Sequence, residues 1–151
     1  MHSYYIRQLL EPSEAAHIVS SLNQDHIGWR DGRETLLNVS VEDGSWDRFA
    51  KYKINMEACH PKDELNELRN IIWNRLDRDA PFLHDVVADQ SGAPLFTKTN
   101  VGGYYSPHHD NPINGHYSTT IFLSDPSEYD GGELCLSVNG ESRSFKLDAG
   151  W

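Results

Sequence analysis

The apolar pattern changes period once along this chain, near Gly92, and that change limits the folds open to it. Before it, apolar residues recur at helical spacing. Pro12-Ser13-Glu14 opens a first helix with Ala15, Ala16, Ile18, Val19 and Leu22 on its apolar side. Pro61 to Asp77 predicts a second, built on Leu65, Leu68, Ile71, Ile72 and Leu76, with Trp73 on the same side. After Gly92 come short β-type runs: 94–99, 104–110, 117–124, 134–138 and 144–147. Gly102-Gly103, Asn114-Gly115, Asp130-Gly131-Gly132 and Asn139-Gly140 separate them, each a turn signal. Helices followed by a run of short strands predict an α+β fold with an antiparallel β core. Outside this pattern, Tyr4 to Leu9 has strand composition. Thr35 to Val41 suits a strand or a loop, and Leu83 to Val87 is short and apolar. Asp31-Gly32 and Asp43-Gly44 mark turns.

At 151 residues the chain has the size of a single domain, with helical support over about 10–80 and the β core over about 94–151. Thirteen Lys and Arg against 23 Asp and Glu give a net charge of −10. Such a surface repels phosphate backbones and anionic lipid, so neither nucleic acid nor a membrane is an expected partner. No apolar run reaches the ~18 residues of a membrane span, and the first residues lack the basic start and apolar core of a signal peptide. Cys59 and Cys135 lie in no metal or redox spacing, which predicts two buried free thiols in a reducing compartment, the cytoplasm. Cys135 in particular has the place of a small inward strand residue. Trp29, Trp46, Trp73 and Trp151 are expected in core or rim packing.

The candidate site is Pro107-His108-His109-Asp110-Asn111-Pro112. On a strand, residues two apart share a face, so His108 and Asp110 point one way and His109 the other. An imidazole and a carboxylate side by side are two parts of the 2-His-1-carboxylate face that holds non-haem Fe(II). The spacing alone is weak: with eight His in 151 residues, chance yields on the order of one His-x-Asp. HExxH, GxSxG and GxxxxGK[ST] are absent, and Gly102-Gly103 is a bend beside a strand.

The surroundings carry more. Gly103-Tyr104-Tyr105-Ser106-Pro107-His108-His109-Asp110-Asn111-Pro112, then Ser118-Thr119-Thr120-Ile121-Phe122-Leu123-Ser124, then Tyr129-Asp130-Gly131-Gly132-Glu133-Leu134 come in an order that resembles the Fe(II)/2-oxoglutarate-dependent dioxygenases. Within them the chain looks most like the prolyl-4-hydroxylase-like and PKHD-type hydroxylases. The resemblance is closest over about 94–150. It implies a double-stranded β-helix (a jelly-roll, cupin-like core) with the N-terminal helices packed on one sheet. It implies Fe(II), 2-oxoglutarate as cosubstrate, ascorbate and dioxygen, and hydroxylation of a C–H bond, foremost a prolyl residue of a protein or peptide, or else a small molecule. His108 and Asp110 match the first histidine and the aspartate of the metal triad. Thr99 stands where many relatives place a tyrosine that binds 2-oxoglutarate, and Thr119 and Leu123 border the cosubstrate. Tyr105 and His116 match substrate-facing positions, and Asn111 or another partner of the ring would steady His108.

In the resembled family a second metal histidine and a basic partner for the far carboxylate of 2-oxoglutarate follow the Gly-Gly-Glu-Leu block. They lie beyond Trp151, so the reading here is of a C-terminally incomplete domain whose unpaired strand edges favour self-association. Two further readings stand beside the hydroxylase. One is a catalytically inactive β-helix domain serving as a binding module. The other is a zinc hydrolase on His108, His109 and Asp110, which the opposed faces of adjacent strand residues disfavour.

Overall fold

A computed structural model describes residues 4–35, 52–78, 92–108, 117–138 and 140–151. The expectations for 36–41, Asp43-Gly44, Trp46, Leu83 to Val87, Asn114-Gly115 and Asn139 fall outside these residues.

Among the described residues, two α-helices form where the helical period predicts them. α1 spans Pro12–Leu22 and α2 spans Lys62–Arg78. Pro12 opens α1, where its missing N–H costs nothing. The Glu14 carboxylate accepts the Glu11 backbone N–H at 2.9 Å, which satisfies a donor that the helix leaves unpaired. α2 carries Asp63 and Glu64 in its first turn and Arg75 and Arg78 in its last, the order the helix dipole favours. The two helices meet through charge: Arg75 Nε donates to Glu14 Oε2 at 2.8 Å. Burial raises the Glu14 pKa, but the bonds from Arg75 and the Glu11 backbone, with the Arg75 and Arg78 charges, together outweigh it and leave the carboxyl below its usual range.

Among the described residues, seven short strands make three antiparallel sheets. β1 (Gly28–Asp31), β3 (Met56–His60) and β4 (Thr97–Lys98) form one, in the order β1-β3-β4. β2 (Lys53–Ile54) pairs with β5 (Tyr104–Tyr105). β6 (Leu134–Val138) and β7 (Glu141–Phe145) form a hairpin in which Val138 faces Glu141. That register leaves a two-residue loop, and Gly140 takes φ +83°, as such a loop requires. The architecture is α+β with antiparallel pairing throughout the described residues.

The core lies between the helices and the three-stranded sheet. Leu10, Ala15, Ile18, Leu22, Ile27, Ala58, Leu65, Leu68, Ile72 and Phe96 are buried in one cluster. Leu65, Leu68 and Ile72 belong to the stripe read from the sequence, while Ile71 and Leu76 only flank the cluster. On α1, Ala16 is exposed and Val19 is half-buried, so its apolar face is narrower than its apolar residues suggest.

Several expectations change. Residues 4–9 form no strand; instead the Leu9 and Leu10 N–H groups both donate to the Gly150 carbonyl, at 2.8 and 3.0 Å. Within 94–99 only Thr97–Lys98 joins a ladder. Residues 117–124 form no ladder either, despite their β-rich composition. Their backbone is tied at one point, where Phe122 donates to the Trp151 carbonyl and accepts from Gly150. Local propensity makes a segment extended, but a strand needs a partner at ladder spacing. The thiols also differ from expectation. Cys59 is half-buried, its Sγ donating to the Gly28 carbonyl at 3.4 Å, and Cys135 is exposed. On β6 the period of two decides this: Leu134, Leu136 and Val138 take the covered face, so Cys135 and Ser137 take the other. Among the tryptophans, Trp29 packs at the core edge, Trp73 is half-buried and Trp151 is about one-third exposed.

Candidate functional site

β5 is placed by the glycine pair before it. Gly102 takes φ +82°, and a Cβ on Gly103 would lie 2.6 Å from the Ile54 carbonyl oxygen and 2.7 Å from Thr99 Cγ2. Only glycine lets the chain turn there and come this close to β2. The turn sets Tyr105 opposite Lys53 and Tyr104 opposite Ile54, and the Ser106 N–H extends the pairing by donating to the Tyr52 carbonyl at 2.7 Å.

From Tyr105 the chain reaches His108 in three residues. The two rings stack, with centroids 3.9 Å apart and planes 17° from parallel. His108 Nδ1 lies 2.8 Å from the Ser106 carbonyl oxygen. A carbonyl only accepts, so Nδ1 carries the proton there, and in the neutral ring Nε2 holds the lone pair. This is the arrangement metal-binding histidines use, with the second nitrogen donating to a carbonyl. The ladder ends at Tyr105, and His108 follows it on exposed chain outside any strand, so the expected 104–110 strand does not continue through 106–108.

Beneath Tyr105 lies a group of charged side chains that the sequence reading did not single out. From Tyr52 to Glu57 apolar and polar residues alternate, and period-two reasoning would send Tyr52, Ile54 and Met56 inward. The structure does the reverse. Lys53 is 5% exposed and Glu57 is 1% exposed, while Tyr52 and Ile54 are 46% and 42% exposed. Lys53 Nζ lies 2.6 Å from Glu57 Oε1 and 3.1 Å from Thr35 Oγ1, and Thr35 also donates to Glu57 Oε1 at 2.9 Å. Arg30 reaches the other Glu57 oxygen at 3.4 Å. Above the pair, Lys53 Nζ stands 4.9 Å from the centre of the Tyr105 ring.

A small cavity of about 110 Å³ lies between the β2–β3 bend and the glycine turn; Asp31, Arg33, Asn55 and Gly103 are among its walls. Arg33 Nε donates to both Asp31 carboxylate oxygens, at 2.9 and 3.0 Å. The bond from Arg33 holds the Asp31 carboxyl below the ordinary carboxylate range, against the opposing pull of burial. Asn55 Oδ1 is buried at this cavity and has no hydrogen-bond partner among the described residues.

The structure therefore brings Tyr105 and His108 together. It places Thr99 exposed after β4 and beside the glycine turn, Thr119 exposed, and Leu123 half-buried against the core cluster. Asp110, His116, His109 and Asn111 lie outside the described residues, and among the described residues no three His, Cys, Asp or Glu side chains converge on a metal position. No described helix is long and apolar enough to cross a membrane.

With this geometry in place, comparison with known proteins shows what the chain is similar to. A PKHD-type hydroxylase of Prochlorococcus marinus (strain NATL1A) is 28% identical over 97% of this chain. PKHD-type hydroxylases of Nitrobacter winogradskyi and Gluconobacter oxydans are each 30% identical, over 96% and 97% of it. The chain is similar to PKHD-type hydroxylases over nearly its whole length. It spans about 64% of the length of these curated relatives. No protein-family model matches the chain. The similarity extends over both halves of the chain, so the helical region belongs to the likeness as much as the glycine turn and the histidine that follows it.

Proposed function

We propose that this chain carries part of the active site of an Fe(II)- and 2-oxoglutarate-dependent dioxygenase that hydroxylates a C–H bond, foremost in a prolyl residue of a protein or peptide. The observation that carries the reading is the likeness to proteins named hydroxylases over nearly the whole chain. His108 is consistent with it: an exposed imidazole whose Nδ1 is tied to a backbone carbonyl has the tautomer a metal ligand needs. The core in this proposal is a double-stranded β-helix, of which β5 and the β6–β7 hairpin are parts.

Iron with 2-oxoglutarate, and ascorbate as a further cofactor, supplies the activation of dioxygen that breaking a C–H bond demands. The chain's own residues position and shield. His108 presents Nε2, and Asp110, two residues on, adds the carboxylate. The Ser106 carbonyl and the Tyr105 ring hold the imidazole in one tautomer and one plane. Thr99 offers a hydroxyl to the cosubstrate, and Thr119 and Leu123 border it. Tyr105 and His116 face the substrate.

The test is the binding of both components. Anaerobic Fe(II) plus 2-oxoglutarate is expected to give a weak visible charge-transfer band with the protein and none with His108→Ala or Asp110→Ala. His109→Ala is expected to keep the band. A folded protein without the band, or a band lost equally on changing His109, would remove the proposal. The first result would favour a binding module instead.

A further inference from the structure

The inverted stretch from Lys53 to Glu57 is a place where the chain departs from a plain physical rule. Two charges taken out of water lose several kcal/mol of hydration, and replacing such a pair by apolar side chains is often neutral or stabilising. A buried pair of this kind is therefore poorly explained by stability alone. Beside Thr35 and Arg30, the pair has Tyr105 as a neighbour, directly across the β2–β5 ladder from Lys53. An ammonium 4.9 Å from an aromatic centre is within attractive range of the ring face, more so where water is excluded. Tyr105 in turn stacks on His108. A continuous path runs from Glu57 and Thr35, through Lys53 and the Tyr105 ring, to the imidazole.

We infer that Lys53, fixed by Glu57 and Thr35, is a positioning residue that sets the plane of the Tyr105 ring and through it the orientation of His108. Glu57 and Thr35 take up two of the three ammonium protons and aim the third side of the group at the ring. Lysine suits the place because a compact cation fits beneath one ring, whereas the broad planar fork of arginine would have to displace Thr35. As a claim about metal binding the inference rests on the oxygenase reading. As a claim about ring orientation it does not.

The test uses Lys53→Met combined with Glu57→Leu, which removes both charges at nearly constant volume and leaves no lone buried ion. In the metal-free protein the His108 ring protons, assigned by their loss in His108→Ala, are expected upfield, shielded by the Tyr105 ring. Tyr105→Leu removes that displacement, and the double variant is expected to reduce it while core aromatic resonances, Phe96 among them, stay in place. Thr35→Val, which keeps both charges but takes away one partner of Lys53, is expected to move the same signals by less, and it serves if the double variant does not fold. Mn(II) affinity is expected to fall roughly 10-fold in the double variant, the size of effect seen when groups behind a metal ligand are removed. Adding Tyr105→Leu is expected to cost less than the two losses summed, because the two changes act through one path. Unmoved His108 signals in the folded double variant, or in Thr35→Val if that alone folds, would overturn the inference. So would metal losses that simply add. If the ring signals respond but the unaltered protein binds no Mn(II), the positioning role stands and the oxygenase reading falls. If Mn(II) binds and the ring signals do not respond, the reverse holds.

Discussion

The region up to Phe96 and the region after it are built on different principles. Nine of the ten buried core residues, Leu10 through Ile72, precede the tenth, Phe96. The first region is held by apolar side chains from two helices and a sheet packed on one another. The second contributes only half-buried apolar residues to that cluster, Ile121, Leu123 and Ala149. Its β6–β7 hairpin contains no buried residue among those described, and pairs outward hydroxyls such as Ser137 and Ser142, 2.6 Å apart. The candidate site sits where the two regions meet, with β2 from one and β5 from the other. The contrast suggests a division of labour: the first region is a scaffold stable by burial, and the second is a set of arms aimed by a few backbone ties.

Substitutions can break that contrast or sharpen it. The largest effect is expected inside the scaffold, where Leu65→Ala should cost about 2–5 kcal/mol through lost burial and the cavity left behind. Denaturant unfolding would measure it, and a cost near zero would dissolve the distinction. Gly150→Ala comes next. Gly150 takes φ +97°, and a Cβ there would lie 2.4 Å from the Leu10 carbonyl oxygen. A cost of about 1–3 kcal/mol is expected from strain at such a site. Hydrogen exchange should open first at Leu9, Leu10 and Phe122, the donors of that junction. Asp31→Asn should cost under about 1 kcal/mol, because the ion pair with Arg33 is partly exposed. Its pH dependence is the sharper readout. The folded carboxyl lies below its unfolded value of about 3.9, so its contribution is present above pH ~4 and disappears as pH falls through the folded value. The variant and the parent should therefore converge in stability at low pH. The smallest effect is expected at Cys135→Ser, within about 0.5 kcal/mol, because the thiol is exposed on the outer face of the hairpin.

The same contrast explains what the sequence discloses. Both helices are legible because their apolar stripes face one core and their ends carry the expected residues, Pro12 at one start and Arg75 and Arg78 at one finish. The hairpin is legible because Asn139-Gly140 admits few alternatives. The glycine pair before β5 likewise reads as a bend beside a strand, and it is one. Residues 4–9 and 117–124 read as strands because composition reports extension and not pairing; their backbone ties run to a carbonyl more than a hundred positions away, from Leu9, or through one residue, Phe122. At the candidate site, the sequence points to His108 and Tyr105, but nothing in it discloses that their rings stack. Lys53 and Glu57 are hidden for a physical reason: alternation assumes that the apolar face is the covered one, and here the charges satisfy each other under an aromatic ring while Tyr52 and Ile54 face out.

The junction at Gly150 has a consequence for how the polypeptide is made. The residues leading into α1 bond to a carbonyl about 140 positions further along. As the chain emerges during synthesis, the entry to α1 stays without that partner until position 150 has appeared. Contacts so distant in sequence slow folding, since their loops must close before they repay the loss of chain freedom. The core helices can assemble early, but the approach to the first of them is completed late.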